Sequence, residues 1–408
     1  MRQIPIMKPY FTEREAALVA ETLESGWVAQ GPRVAAFEKQ VAAHEGVAYG
    51  IAATSCTTAL HLLMAAMGFG AGDDVLVPSF TFVATPNSVA YTGAAVVLVD
   101  VDPATFNLSV PWLESFLETN YREADDGFRN RRSGNRLAGI VPVNLFGLCA
   151  DIPAVNRIAA RYGMKVVEDS ACALGAMISG THEGGFGNPS ALSFHPRKSI
   201  TTGEGGMILT DSEELAGKLR RLRSHAASLS ETQRHLAKGY LLPEFNELGY
   251  NYRMTDLQAA VGIAQMEKID LITEARRRIA ARYDRLIPGS VPWLIPPFVP
   301  DGYTHVYQTY CCRVNLAALE MKTVEAGNAF RNCVMEFLET NGIATRQGTH
   351  ATHTLGVYRD RRGPDAPDLP GAYECDRLSI ALPLYVELTE ADQDFVIEEL
   401  IRAGKEAL

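Results

Sequence analysis

From Asp74 to Ser170 the chain alternates short runs rich in β-branched residues with helix-like segments, and this rhythm restricts the fold more than any other feature. The runs "DVLVPS", "AVVLVDV", "AGIVPV" and "MKVVEDS" are separated by helical patterns near Thr85–Thr92, Trp112–Asn120 and Ile152–Tyr162. Strands joined through helices form βαβ units, so the pattern predicts an α/β fold with a mostly parallel sheet between helices. The runs are apolar on both sides, which predicts burial of both faces. Local signals agree: Thr12 and Glu15 have capping-box spacing, and Asp151 precedes a helix with Pro153 in its first turn.

The rhythm changes after a long helical pattern that starts near Thr255 and is expected to run past Arg277. A proline-rich stretch follows, then the strand-like "HVYQTYCCRV", a helix around Val324–Asn341 and a last helix from Thr389. These signals predict a large domain over 1–265 and a smaller α+β C-terminal domain over 266–408. Residues 226–247, polar and weakly periodic, are expected to be a surface excursion.

Several function classes are disfavoured by composition. The 408 residues carry a net charge of -10 with no prominent Lys/Arg run, so neither nucleic acid nor a membrane surface is an expected partner. The start "MRQIPIMKPY" lacks a continuous hydrophobic core, and a cytoplasmic protein is expected. The seven cysteines are scattered without CxxC spacing, which predicts reduced thiols and no metal site of that type.

Ligands of parallel α/β sheets sit at the carboxyl ends of the strands. "MKVVEDS" places Asp169 there, as a poorly solvated acid needing a partner or as a helix cap. In "TSCTTALHLLMAAMG", Ser55, Thr57 and Thr58 precede a helix, which offers a phosphate site or a plain cap. Lys198 lies in "SFHPRKSITTGEGG", between Ser193 and the permissive Gly203, Gly205 and Gly206. Partial desolvation there is expected to lower its pKa and free a nucleophilic amine. An anion-binding helix start, a buried acid and such a lysine are the parts that pyridoxal 5'-phosphate (PLP) requires.

With these motifs in order, the chain resembles the DegT/StrS family of sugar aminotransferases, of the fold type I PLP-dependent transferases. The resemblance rests on "SGWVAQGPRVAAFE", "TSCTTALHLLMAAMGFGAGDDVLVPSFTFVATPNSVAYTGA", "VLVDVDPATFNL", "VVEDSACALGA", "SFHPRKSITTGEGGMILT" and "LGYNYRMTDLQAAVG". It implies that Lys198 holds the cofactor covalently and shuttles a proton, while Asp169 pairs with the pyridinium nitrogen. It also implies that Ser55, Cys56, Thr57 and Ser193 cradle the phosphate. Phe82 would stack on the ring, unless it only packs in the core. Asn251 would reach the cofactor phosphate of a neighbouring subunit, which implies a homodimer with shared active sites. Two residues depart from the family: Cys56 stands where glycine is usual, and Cys172 where a glutamine would contact the ring hydroxyl. Asn144 also stands where histidine is frequent.

The implied reaction moves an amino group from glutamate through pyridoxamine 5'-phosphate to a nucleotide-linked keto sugar, for a polysaccharide, lipopolysaccharide or glycosylated natural product. "GEGG" with "SFHPRK" resembles enzymes that aminate carbon 4 of a deoxy sugar. Trp27, His195, Arg346, His353 and Tyr358 are candidate substrate contacts, or ordinary surface and packing residues. A 3-keto sugar or a free keto-cyclitol is an alternative substrate. A non-catalytic regulator would lack Lys198 or Asp169, and both are present. A desulfurase would need a thiol on a mobile loop, for which Cys375 is the candidate.

Overall fold

The apolar runs form one twisted sheet through the larger part of the molecule. In the computed structural model, which describes residues 2–228, 242–361 and 366–408, Ala95–Val99, Asp73–Pro78 and Arg136–Ile140 are parallel neighbours. Lys165–Val166 continues the parallel order beside Arg136–Ile140. The same chain segment then changes partner: Glu168–Asp169 pairs in parallel with Ser190–Ser193. Hydrogen bonds from Asp169 N to Pro142 O and from Asn144 N to Asp169 O, both 2.9 Å, keep it tied to the first group of strands. Gly206–Thr210 runs antiparallel to both Ser190–Ser193 and Tyr49–Ala53. These strands are therefore mostly parallel with Gly206–Thr210 reversed, and a further hairpin, Tyr121–Ala124 with Gly127–Asn130, joins the edge of Arg136–Ile140 in antiparallel fashion. Asp73–Pro78 is buried throughout, as a strand covered on both faces must be.

The helices form where the sequence signals place them. Thr12 and Glu15 complete a capping box on Glu13–Ser25, and Asp151 Oδ1 accepts from Ala154 N at 3.0 Å at the start of Ile152–Tyr162. The long pattern from Thr255 is instead two helices, Asp256–Met266 and Ile269–Ser290. Lys268 leaves helical geometry (φ -122°, ψ 9°), and its amine reaches Glu15 and, at 3.1 Å, Thr12 Oγ1. A tertiary ion pair thus claims a residue that periodicity assigns to a continuous helix.

Beyond it, Leu294–Ile295, Tyr310–Val314 and Ser379–Leu382 make a small antiparallel sheet. Ile269–Ser290, Val324–Thr340 and Glu390–Glu406 pack on it through Tyr283, Tyr310, Val334, Leu338 and Leu400. Of the strand-like "HVYQTYCCRV", only Tyr310–Val314 is extended, because Tyr307 adopts φ 48°. A later segment returns to the larger sheet: His350–Ala351 pairs with Phe80–Thr81, and Ala351, Tyr358, Leu369, Ala372 and Cys375 join its core. Cys375 is fully buried in the helix Pro370–Leu378, so it is no mobile-loop thiol. Of the excursion at 226–247, residues 229–241 lie outside the described residues. Among the described residues no helix is long and apolar enough to cross a membrane.

Candidate active site

Strand register gathers the candidate residues at one end of the sheet. Gly206 is paired with Ala53 on one side and Ser193 on the other, and Ala191 is opposite Asp169. The Ser55 turn, Ser193 and Asp169 therefore share the edge at which parallel sheets bind ligands. Residues 194–205 loop over that edge between two adjacent strands and carry Lys198.

Ser55 is the N-cap of Cys56–Met67, with a capping box closed by Thr58. Cys56 and Thr57 lie within its first turn, whose amides have no partner inside the helix and attract anions. The helix start presses on the sheet so closely that a Cβ at Gly206 would lie 2.5 Å from Ser55 C and O and 2.6 Å from Cys56 N. Only glycine permits that approach. The Cys56 thiol lies 3.8 Å from Ala191 O, and burial pushes its pKa far up, so it acts as a small apolar group.

Asp169 is 4% exposed. Its Oδ2 accepts from Thr85 Oγ1 at 2.7 Å and its Oδ1 from Ala171 N at 3.1 Å. Burial outweighs these donors and raises its pKa, so a cationic partner is what would keep it ionised. Thr85 is a residue that motif reading passes over. It begins to line the site because the helix Ala84–Ala90 starts beside Phe82, whose carbonyl oxygen accepts from Thr85 N at 3.1 Å. Phe82 is 63% exposed, which excludes simple core packing and leaves its ring face available.

Lys198 is half-buried, and its Nζ donates to Cys172 Sγ at 3.1 Å. Desolvation alone would depress the amine, but the contact with Cys172, with Asp169 behind it, outweighs burial and raises the pKa. The expected depression is thus reversed, chiefly by Cys172, one of the two departures from the family pattern. The loop itself is held firmly. Thr201 Oγ1 donates to Phe194 O at 2.9 Å, Phe194 packs on Phe37 with centroids 5.0 Å apart, and Gln308 Nε2 donates to Arg197 O at 2.6 Å. Ser193 Oγ accepts from His195 N at 3.4 Å. Burial lowers the pKa of His195, so its ring is neutral at pH 7.

Asn144 proves to be a buried organiser. Its Nδ2 donates to Glu168 Oε2 (3.0 Å) and Ser170 Oγ (2.8 Å), and its Oδ1 accepts from Ala150 N (2.8 Å). The two residues flanking Asp169 are thereby fixed by one amide.

The remaining candidates are scattered in role. His353 Nδ1 lies 2.8 Å from Ser79 Oγ, just past a strand of the large sheet. Tyr358 is buried with its hydroxyl donating to Asn87 Oδ1 at 2.6 Å, and burial raises its pKa to about 12. Trp27 Nε1 donates to Gln30 O at 3.0 Å. Arg346 is exposed and bridges to Ala381 through its backbone. Asn251 is exposed and bridges to Ser224.

A buried carboxylate, a lysine amine and a helix start that a Cβ at Gly206 would displace fit the charges and functional groups of PLP. The fold is that of the type I PLP-dependent transferases. The chain belongs to the DegT/DnrJ/EryC1/StrS aminotransferase family, whose profile matches residues 9–401. It is 35% identical over 399 residues to GDP-perosamine synthase from Caulobacter vibrioides, covering 98% of this chain and 97% of that one. It is 33% identical over 395 residues to the spore coat polysaccharide biosynthesis protein SpsC of Bacillus subtilis, covering 97% and 95%. Among solved structures, Spr1654 of Streptococcus pneumoniae in its PMP form superposes with a TM-score of 0.86 at 25% identity, covering 99% of this chain and 100% of that one. The protein is a PLP-dependent sugar aminotransferase.

Proposed function

We propose that this enzyme transfers the amino group of glutamate to a nucleotide-linked 4-keto-6-deoxy sugar. The observation that carries the reading is the convergence of Lys198, Asp169 and the Ser55 helix start on one sheet edge. The "GEGG" and "SFHPRK" segments favour carbon 4, and the relative named GDP-perosamine synthase supports a nucleotide-linked sugar.

When bound, PLP supplies an electron sink that lets an amino group leave one carbon skeleton and join another. Lys198 would hold the cofactor through Nζ, and that same atom would take up and return a proton during the reaction. Asp169, buried and steadied by Thr85, holds the pyridine nitrogen protonated. Ser55, Cys56 and Thr57, with Ser193, hold the phosphate through hydroxyls and backbone N–H groups. Phe82, exposed at the site, would stack on the ring face. Cys172, whose Sγ accepts from Lys198 Nζ, would lie beside the ring hydroxyl and offer it a weak thiol contact. Asn251 would reach the phosphate in the other subunit of a homodimer with shared active sites. Trp27, His195, Arg346, His353 and Tyr358 shape the mouth through which the sugar enters, and Tyr358 does so by positioning Asn87. In this reading residues 1–265 form the cofactor-binding domain and 266–408 the smaller domain, with His350–Ala351 folded back beside Phe82.

The test is a panel of nucleotide-linked 3-keto and 4-keto sugars with glutamate, followed by release of 2-oxoglutarate. Turnover confined to 4-keto-6-deoxy substrates is expected. Turnover confined to 3-keto sugars or to a free keto-cyclitol would overturn the substrate assignment.

A further inference from the structure

Outside the active site, three side chains from two distant segments converge in a way the aminotransferase reaction does not require. His44 and Glu45 end the helix Pro32–Glu45, and His182 ends the hairpin formed by Met177–Ile178 and Thr181–His182. Their ligand atoms lie within 4.8 Å of one another. Glu45 is 1% exposed; its Oε1 lies 2.7 Å from His44 Nδ1 and accepts from Gly175 N at 3.0 Å. Its Oε2 is buried without a completed hydrogen bond among the described residues, and so is His182 Nδ1, 3.4 Å away. Two unsatisfied buried polar atoms facing each other are costly unless something joins them.

A divalent cation would join them. Zinc bonds of about 2.0–2.1 Å at tetrahedral angles place neighbouring ligand atoms roughly 3.3 Å apart; Glu45 Oε2 and His182 Nδ1 are 3.4 Å apart, and the 2.7 Å contact of His44 Nδ1 with Glu45 Oε1 would open slightly on binding. Two imidazoles and one carboxylate suit zinc, with a fourth position for water. Both histidine side chains are about one-fifth exposed, which leaves a route for entry. His44 Nε2, the nitrogen turned away from Glu45, lies 3.9 Å from the exposed carboxylate of Asp270, which adds negative charge beside the cluster. The helix carbonyl end at Glu45 also favours a cation.

We propose that His44, Glu45 and His182 form a binding site for a zinc-like divalent cation. The ion fastens the end of Pro32–Glu45 to the hairpin and, through Glu45 and Gly175, to the turn that follows Asp169 and Cys172. This site involves no cysteine and is independent of the sugar the enzyme uses.

The test uses the purified holoenzyme, loaded with zinc sulfate, dialysed, and analysed for metal. About one zinc per chain is expected in the wild type and in Cys172→Ser, and at least tenfold weaker retention in His44→Gln and His182→Gln, whose side chains are partly exposed. Circular dichroism and cofactor absorbance check that the variants fold. Cobalt(II) titration of the unmodified holoenzyme needs no variant: visible ligand-field bands should saturate at one equivalent. No zinc retained by the wild type, equal retention by His182→Gln, loss of zinc in Cys172→Ser, or no saturating cobalt spectrum would each overturn the site.

Discussion

Asn144→Ala should be among the most destabilising single substitutions in the larger sheet, although Asn144 is not assigned to the chemistry. Its amide makes three buried hydrogen bonds, to Glu168 Oε2, Ser170 Oγ and Ala150 N. Truncation leaves Ala150 N and one oxygen of the fully buried Glu168 without these partners, at about 1–3 kcal/mol each. A loss of about 2–6 kcal/mol follows, of which Asn188, still donating to Glu168 Oε1 at 3.1 Å, recovers none. The backbone bond from Asn144 N to Asp169 O survives, so the strand carrying Asp169 stays in place. Asn144→Asp should cost more at pH 7, because it sets a second carboxylate about 3.0 Å from Glu168. That excess should shrink on mild acidification, since burial raises the Glu168 pKa. Guanidinium unfolding of cofactor-free protein measures these differences. A loss below about 1 kcal/mol for Asn144→Ala would refute the reasoning.

Gly206→Ala should weaken cofactor retention at least tenfold, read by dialysis and absorbance, because its Cβ meets only backbone atoms of Ser55 and Cys56. Gly203→Ala, at φ 80° with open space around its Cβ, should cost only about 1–2 kcal/mol of stability and leave cofactor binding intact. Asp169→Ala should lower turnover by orders of magnitude while keeping the fold, since burial already disfavours its charge; near-normal rates would remove it from the mechanism. Glu168 has a folded pKa above its ordinary 4.5, so its contribution to stability is fully present below that value and is lost as pH rises through the folded pKa. The stability of Glu168→Gln relative to wild type should therefore increase with pH across that window, and a flat or falling difference would contradict it.

Much of this was legible from local pattern. Strand runs and caps such as Thr12–Glu15 and Asp151 are decided within a few residues, and so they appear in the sequence. The grouping of Lys198, Asp169 and Ser55 was legible through motif order, whereas the register Ala53–Gly206–Ser193 that assembles them is a sheet property. The break at Lys268 depends on Glu15, far away in the chain, and periodicity cannot register it. Thr85 reads as an ordinary helical residue until the fold sets it 2.7 Å from Asp169. The raised amine pKa of Lys198 likewise depends on Cys172 lying 3.1 Å from it, a contact between separate loops.

The most direct measurement is borohydride reduction of the purified holoenzyme followed by peptide mass analysis. The account predicts one pyridoxyl phosphate group per chain on Lys198, and none retained by Lys198→Ala. A reduced cofactor attached to another lysine, or an unmodified peptide containing residue 198, would contradict it.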